Sequence, residues 1–224
     1  MNFITYIVFL TSITMCFYMN KYNIVEECDS VESFLSLAKS LGEIIPHPNG
    51  EVYDVIIAND GVNAKTGSFS QNFGFAEFPL HTDTAFWAIP ARFLIMWSPE
   101  ASTTSTTILS WRDIVDAFSE SEKKIINDAI FKVHTYESVN YRGLKFSSPL
   151  GNGFRFDPNI MTPANEQGRK FIEIFHEVIR GMNLINFNWS GSNALVLNNW
   201  NMLHGRSKVE NKHEIRKIFR AYVR

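Results

Sequence analysis

ARFLIMWS, residues 91 to 98, is apolar at almost every position and offers no face for water to wet. A strand of that kind is stable only when something covers both of its sides. Further strand-like runs lie on either side of it: FPLHTDTAFW at 78–87, TTILSW at 106–111, NLINFNW at 183–189, NALVLNNW at 193–200 and KIFRAYVR at 217–224. GEIIPHPNGEVYDVII reads as two short strands with a Pro48-Asn49-Gly50 turn between them, and the Asn, Gly and Ser-rich stretch after it reads as a loop. Helical signals stand apart from the strands. Asp29 or Ser30 can cap a helix over Ser30 to Ser40 that Gly42 stops, and residues 111 to 134 read as a helical hairpin with a break at Ser119/Ser121. Residues 166 to 181 are the clearest helix, with Phe171, Ile174, Phe175, Val178 and Ile179 on one stripe. Residues 135 to 165 show no period and read as strand and lid-like loop. Strands before and after a helical insert predict a mainly β or α+β domain, an antiparallel β-sandwich with helices packed outside.

The 224 residues, 45% apolar and 20% charged, suffice for one core, and the 19 Phe and five Trp favour strands and lined pockets. A net charge of −2 without a basic block excludes the electrostatic footprint of a nucleic-acid binder. Cys16 and Cys28 form no CxxC pair, so a disulfide framework or zinc knuckle is not expected, and a reducing, cytoplasmic setting is. Residues 1–20 form an apolar extension lacking a basic leader and a cleavage signal. Packing on the body, an upstream extension ahead of Met19 and membrane association all stay open for it, the last not favoured. Residues 21–224 are expected to be a single domain.

Alternate residues on a strand share a face, which sets His81 beside Asp83. A buried carboxylate needs a partner, and that pair alone means little. Downstream, LVLNNWNMLHGRS reads as an apolar strand that delivers His204 at its end. Two histidines and one carboxylate make the facial triad that suits ferrous iron and leaves coordination positions open. Arg216 and Arg220 fall four apart on a strand and therefore share a face; a guanidinium facing an apolar interior calls for an anion, and its fork fits a carboxylate.

The order HTD … T … HGR … R resembles the taurine dioxygenase-like (TauD/TfdA) branch of the Fe(II)/2-oxoglutarate-dependent dioxygenases, and the likeness can be followed from about residue 40 to 224. FPLHTDTAFWAIPARFLIM, FRFDPNIMTPANEQGRKFIEIF and NWSGSNALVLNNWNMLHGRS each resemble a family segment. The resemblance implies a double-stranded β-helix, or jelly roll, with helices outside. It implies iron held by His81, Asp83 and His204, and 2-oxoglutarate as cosubstrate. Arg216 would hold the distal carboxylate of that cosubstrate and Thr107 would add a hydroxyl, Thr106 being the neighbouring candidate if the register shifts by one. Arg220 matches a second arginine, near the metal-proximal carboxylate. The chain departs from the family at Thr104-Ser105, where Gly-Gly is usual, and at Asn198, where Asp is common. Because Asp83 is present, hydroxylation or a related oxidation is implied rather than halogenation.

The implied activity is oxidation of a small molecule, such as an amino acid or secondary-metabolite precursor, by molecular oxygen with release of succinate and CO2. Phe86, Arg155 and Arg206 are candidate substrate contacts, with core packing or an Arg155–Asp157 ion pair as the alternatives; Phe75, Phe78, Trp87 and Glu77 are weaker candidates. His47 reads as a loop residue, His134 and His176 as helical, and His213 as part of a charged turn. Two other functions stay open on sequence alone: a zinc hydrolase using the same three ligands, which would leave Arg216 and Thr107 without a role, and a silent jelly-roll metabolite binder.

Overall fold

The computed structural model describes residues 21–224, apart from 48, 63, 65, 136–137 and 213–215. The N-terminal extension and His213 therefore lie outside the described residues. Two antiparallel sheets face each other. The larger runs β1 (Tyr22–Val25), β13 (Ala194–Asn198), β5 (Phe93–Trp97) and β15 (Lys217–Val223), with β2 (Ile44–Ile45) and β3 (Asp54–Ile57) both on the far edge of β15. The smaller runs β12 (Ile185–Ser190), β6 (Ala101–Ser110), β14 (Met202–Arg206) and β4 (Phe78–His81).

The apolar run that opens the sequence is the middle of the larger sheet, and both of its faces are covered. Phe93, Ile95 and Trp97 point outward to Phe34 and Ala38 of α1 (Val31–Leu41). Leu94 and Met96 point inward, where they meet Ile108, Leu195, Leu197, Ile218 and Tyr222 between the sheets. The outer face of the smaller sheet carries Leu80, Leu109 and Leu203, and these pack under α3 (Trp111–Ala117) and α5 (Glu166–Arg180). Ser30 starts α1 by accepting the Ser33 N–H at 3.2 Å. Gly42 ends it at φ 155°, where a β-carbon would stand 2.2 Å from the Arg224 carbonyl oxygen.

Four segments differ from the sequence reading. The hairpin over 111–134 is helical only in α3 and α4 (Glu120–Asp128); IFKVH is β7 (Ile130–His134), which pairs with β8 (Val139–Gly143) and β11 (Met161–Pro163). Its alternation buries Phe131 and Val133 while Ile130 and His134 are exposed, a period of two that overrides the helical reading and places His134 on a strand. The stretch 135–165, read as strand and loop, also holds the hairpin of β9 (Lys145–Ser148) and β10 (Gly151–Phe154). The loop before β4 contains a short helix, α2 (Phe69–Phe73). LVLNNWNMLHGR is two strands, β13 in the larger sheet and β14 in the smaller, joined by a turn at Asn199–Asn201. His204 thus sits in the middle of its own strand.

Candidate metal centre

β4 ends at His81, and the chain turns at once, so Asp83 projects from a turn and not from the strand the sequence implied. The turn is bound at every residue. Thr82 exchanges two hydrogen bonds with Phe156, its N–H donating to the carbonyl at 2.7 Å and its hydroxyl accepting at 3.2 Å. Asn199 bonds both main-chain groups of Asp83: Oδ1 accepts its N–H at 3.1 Å, and Nδ2 donates to its carbonyl at 3.0 Å and to that of Ala91 at 2.8 Å. Thr84 takes φ 57°, and its hydroxyl donates to the Asp83 carbonyl at 2.6 Å.

β14 places His204 directly opposite His81 in the antiparallel register. Gly205 permits this approach, because a β-carbon there would stand 2.5 Å from the Phe78 carbonyl oxygen. The two imidazole rings lie 4.2 Å apart, centre to centre. His81 Nε2 is 3.5 Å from Asp83 Oδ1, and His204 Nε2 is 3.9 Å from Asp83 Oδ2. One ligand atom from each of the three lies within 4.8 Å of the others, the separation at which one ion can bridge all three, and each residue is buried. His81 Nδ1–H donates to the Pro79 carbonyl at 2.9 Å, which fixes the tautomer with Nε2 as the electron-pair donor. This donor set fits a divalent transition metal with bonds of about 2.0–2.2 Å.

Charge is shared unevenly in the cluster. Burial opposes ionisation of Asp83, but the Arg220 guanidinium and the two imidazoles hold its carboxyl well below the usual range. Burial and the neighbouring His81 push His204 down to about 3, so it stays neutral. Burial also acts to lower His81, yet the Asp83 carboxylate wins and raises it.

Arg216 is buried just ahead of β15, on the inward face. Its Nη2 donates to the Thr106 hydroxyl at 3.1 Å and its Nε to the Thr104 carbonyl at 3.2 Å. Thr107, the residue expected beside it, points the other way. It pairs with Gly205 on the face that carries Leu109 and Leu203, and strand alternation leaves Thr106 as the inward hydroxyl. Arg220 does not stand free for a cosubstrate: Nη1 donates to Asp83 Oδ2 at 3.0 Å and Nη2 to Asp54 Oδ2 at 3.2 Å.

The three substrate candidates are structural in their placement. Phe86 packs with the core between the smaller sheet and the helices, edge-on to Trp87. Among the described residues Arg155 pairs with no carboxylate; it donates to the carbonyls of Ala85, Trp87 and Ala88, with its guanidinium over the Phe146 ring, and so clamps the segment after Asp83. Arg206 lies over the Phe78 ring and donates to the carbonyls of Gly74 and Ala76. Burial lowers both guanidinium pKa values to about 10.

Other residues at the centre carried no signal of their own in the sequence. Phe69 of α2 stacks 4.2 Å from the His81 ring, and Asn159 ties that helix down by donating to the Gly67 carbonyl and accepting from Asn72. Asp157 is 8% exposed and interacts electrostatically with His81 and Asp83; burial pushes it up to about 6. His47, read as a loop residue, is buried flat against Tyr222.

The arrangement of sheets and site has counterparts among solved structures. An asparagine oxygenase in complex with Fe(II), 2S,3S-3-hydroxyasparagine and succinate superposes with a TM-score of 0.75 over 98% of this chain and 79% of that one, at 13% identity. The chain has the double-stranded β-helix fold of these iron oxygenases. PvcB from Pseudomonas aeruginosa, an Fe, alpha-ketoglutarate dependent oxygenase from an isonitrile synthetic pathway, gives 0.72 at 16% identity, over 96% and 79% of the two chains. The non-heme iron oxygenase OrfP, in complex with Fe and alpha-ketoglutaric acid, gives 0.70 at 14%, over 96% and 78%. No protein-family model and no curated protein sequence matches the chain. The β-helix places His81 and His204 on adjacent strands of the smaller sheet and Arg216 at the head of a strand in the larger, so the centre lies between the two.

Proposed function

We propose that this protein is an Fe(II)- and 2-oxoglutarate-dependent oxygenase that hydroxylates a small molecule of the amino-acid class. The observation that carries the reading is the convergence of His81, Asp83 and His204, with the buried Arg216–Thr106 pair on the same inward side of the β-helix. The triad would hold iron, and the Arg216 fork with the Thr106 hydroxyl would take the distal carboxylate of the keto acid. Iron with 2-oxoglutarate supplies oxygen activation, coupled to oxidative decarboxylation of the keto acid to succinate and CO2. The chain's own part is to hold and to exclude. Arg220 fixes the Asp83 carboxylate, Asn199 fixes its main chain, and Phe69 shields the His81 ring from water. Asp157 supports an amino-acid substrate, because no cation pairs with this buried carboxyl among the described residues, and a substrate ammonium would supply one. Two of the solved counterparts support the same class: the asparagine oxygenase structure holds 2S,3S-3-hydroxyasparagine, and a structure of OrfP holds (3R,4R)-dihydroxy-L-Arg.

The test is succinate release from the purified protein with Fe(II), ascorbate, 2-oxoglutarate and a panel of L-amino acids, alongside direct binding of 2-oxoglutarate to the Fe(II)-loaded protein. Arg216→Ala is expected to raise the 2-oxoglutarate concentration for half-maximal turnover at least ~30-fold by removing a buried charge-assisted contact. A wild-type protein that binds no 2-oxoglutarate, or an R216A variant unchanged in that requirement, rejects the reading.

A further inference from the structure

Asp83 presents its two oxygens unequally. Oδ2 accepts from Arg220 Nη1 at 3.0 Å and from the Tyr222 hydroxyl at 3.3 Å. Oδ1 faces His81 Nε2 at 3.5 Å and accepts from neither Arg220 nor Tyr222. One oxygen is therefore held by two donors, with His204 Nε2 at 3.9 Å from it, and the other faces His81 and takes neither donor. A carboxylate held in this way can give a metal one oxygen, while chelation through both would require displacing the two donors from Oδ2.

Tyr222 is itself held. Its ring is 6% exposed and sits between His47, stacked at 4.5 Å and 29° between planes, and Trp87, edge-on at 5.9 Å. His47 is equally constrained: its main-chain N–H donates to the Glu51 carbonyl at 2.8 Å, and its carbonyl accepts from Gly50 at 2.8 Å. Among the described residues, Nε2 of this histidine is buried without a hydrogen-bond partner. A polar atom in that position brings no stabilisation of its own, so the ring acts through its flat contact with Tyr222 and through its bond to the main chain of Arg220 on the same strand. We propose that Tyr222, braced by the stacked ring of His47, is a positioning residue that reserves one oxygen of Asp83 for the metal.

This inference rests on the metal-centre reading, and the experiment separates the two. Metal-free protein is titrated with Co(II), following affinity and the visible d–d bands, without turnover. Wild type is expected to bind one equivalent. Tyr222→Phe keeps the packing and loses the hydroxyl; it is expected to bind Co(II) ~10-fold more weakly, the low end for an outer-shell partner of a metal ligand, with altered d–d intensity as the carboxylate changes its mode. His47→Phe retains the stack while losing the ring's bond to the Arg220 main chain and should stay close to wild type, whereas His47→Ala should follow Y222F. A wild-type protein that binds no Co(II) removes the metal centre itself. Wild-type affinity and spectrum in Y222F, with the metal centre intact, overturn the positioning role. If Y222F fails to fold by circular dichroism, the pair at His47 decides: equal behaviour of H47A and H47F overturns the brace.

Discussion

At the scale of single residues, the centre is a set of buried charges that stabilise one another only together. Asp83 is the negative partner of Arg220 and of both imidazoles, and Arg220 bridges it to Asp54. Asp157 is compensated only in part: His81 favours its ionised form, but burial and Asp83 oppose it. Burial raises its carboxyl to about 6, so the folded state prefers it protonated while the unfolded chain ionises near pH ~4. A group with a raised folded pKa contributes stability below its unfolded pKa, and that contribution is lost as pH rises through the folded value. Asp157→Asn keeps an acceptor for the Asn159 N–H and removes the charge. It should therefore be more stable than wild type at pH 7–8, by up to ~3 kcal/mol at about 1.4 kcal/mol per pH unit, and the advantage should vanish below about pH 4. Thermal melts of both proteins from pH 4 to 8 check the sign; an advantage independent of pH would show that Asp157 is not the group responsible.

At the scale of elements, the metal turn after β4 is over-determined by neighbours distant in sequence. Asn199, in the turn between β13 and β14, makes three hydrogen bonds to Asp83 and Ala91 and is fully buried. Asn199→Ala would leave the Asp83 N–H and the Ala91 carbonyl without this partner in a dry site, at roughly 1–3 kcal/mol each, while the Asp83 carbonyl keeps the Thr84 hydroxyl. The expected result is a loss of several kcal/mol in urea unfolding, together with weaker metal binding because Asp83 is released. Asn199→Asp should fail in the same direction, since a carboxylate cannot donate to the two carbonyls. Unchanged stability in both variants would refute the turn's dependence on this side chain. Arg155 and Arg206 play the related part of holding loops by their carbonyls, one after the triad strand and one before it. That use explains two buried guanidiniums with no carboxylate beside them among the described residues.

At the scale of the whole molecule, three apolar layers are stacked: α1 against the larger sheet, the two sheets against each other, and the smaller sheet against α3 and α5. Phe34 joins the first of these, fully buried beside Trp97, Tyr53 and Phe219. Phe34→Ala is expected to cost about 3–5 kcal/mol through lost burial and the cavity left behind. The metal site lies between the sheets, one layer away, so Co(II) affinity at temperatures below the lowered melting point should stay near that of wild type. A large loss of affinity in F34A would mean that α1 is coupled to the centre. Among the described residues, no helix is long and apolar enough to cross a membrane.

The alternation of apolar residues, the long amphipathic helix at 166–180 and the chemical character of His81, Asp83, His204 and Arg216 are local properties, and the sequence by itself determined them. A period of two or of 3.6 needs only neighbours along the chain to be visible. Which hydroxyl, Thr106 or Thr107, faces Arg216 was decided by the tertiary structure, because a one-residue step along a strand reverses the face and only pairing with β14 fixes that step. The same holds for Arg155, Arg206, Asn199, Tyr222 and His47. Their partners are main-chain carbonyls, a carboxylate and a ring brought near by folding, and a side chain's identity does not say which distant group it will meet.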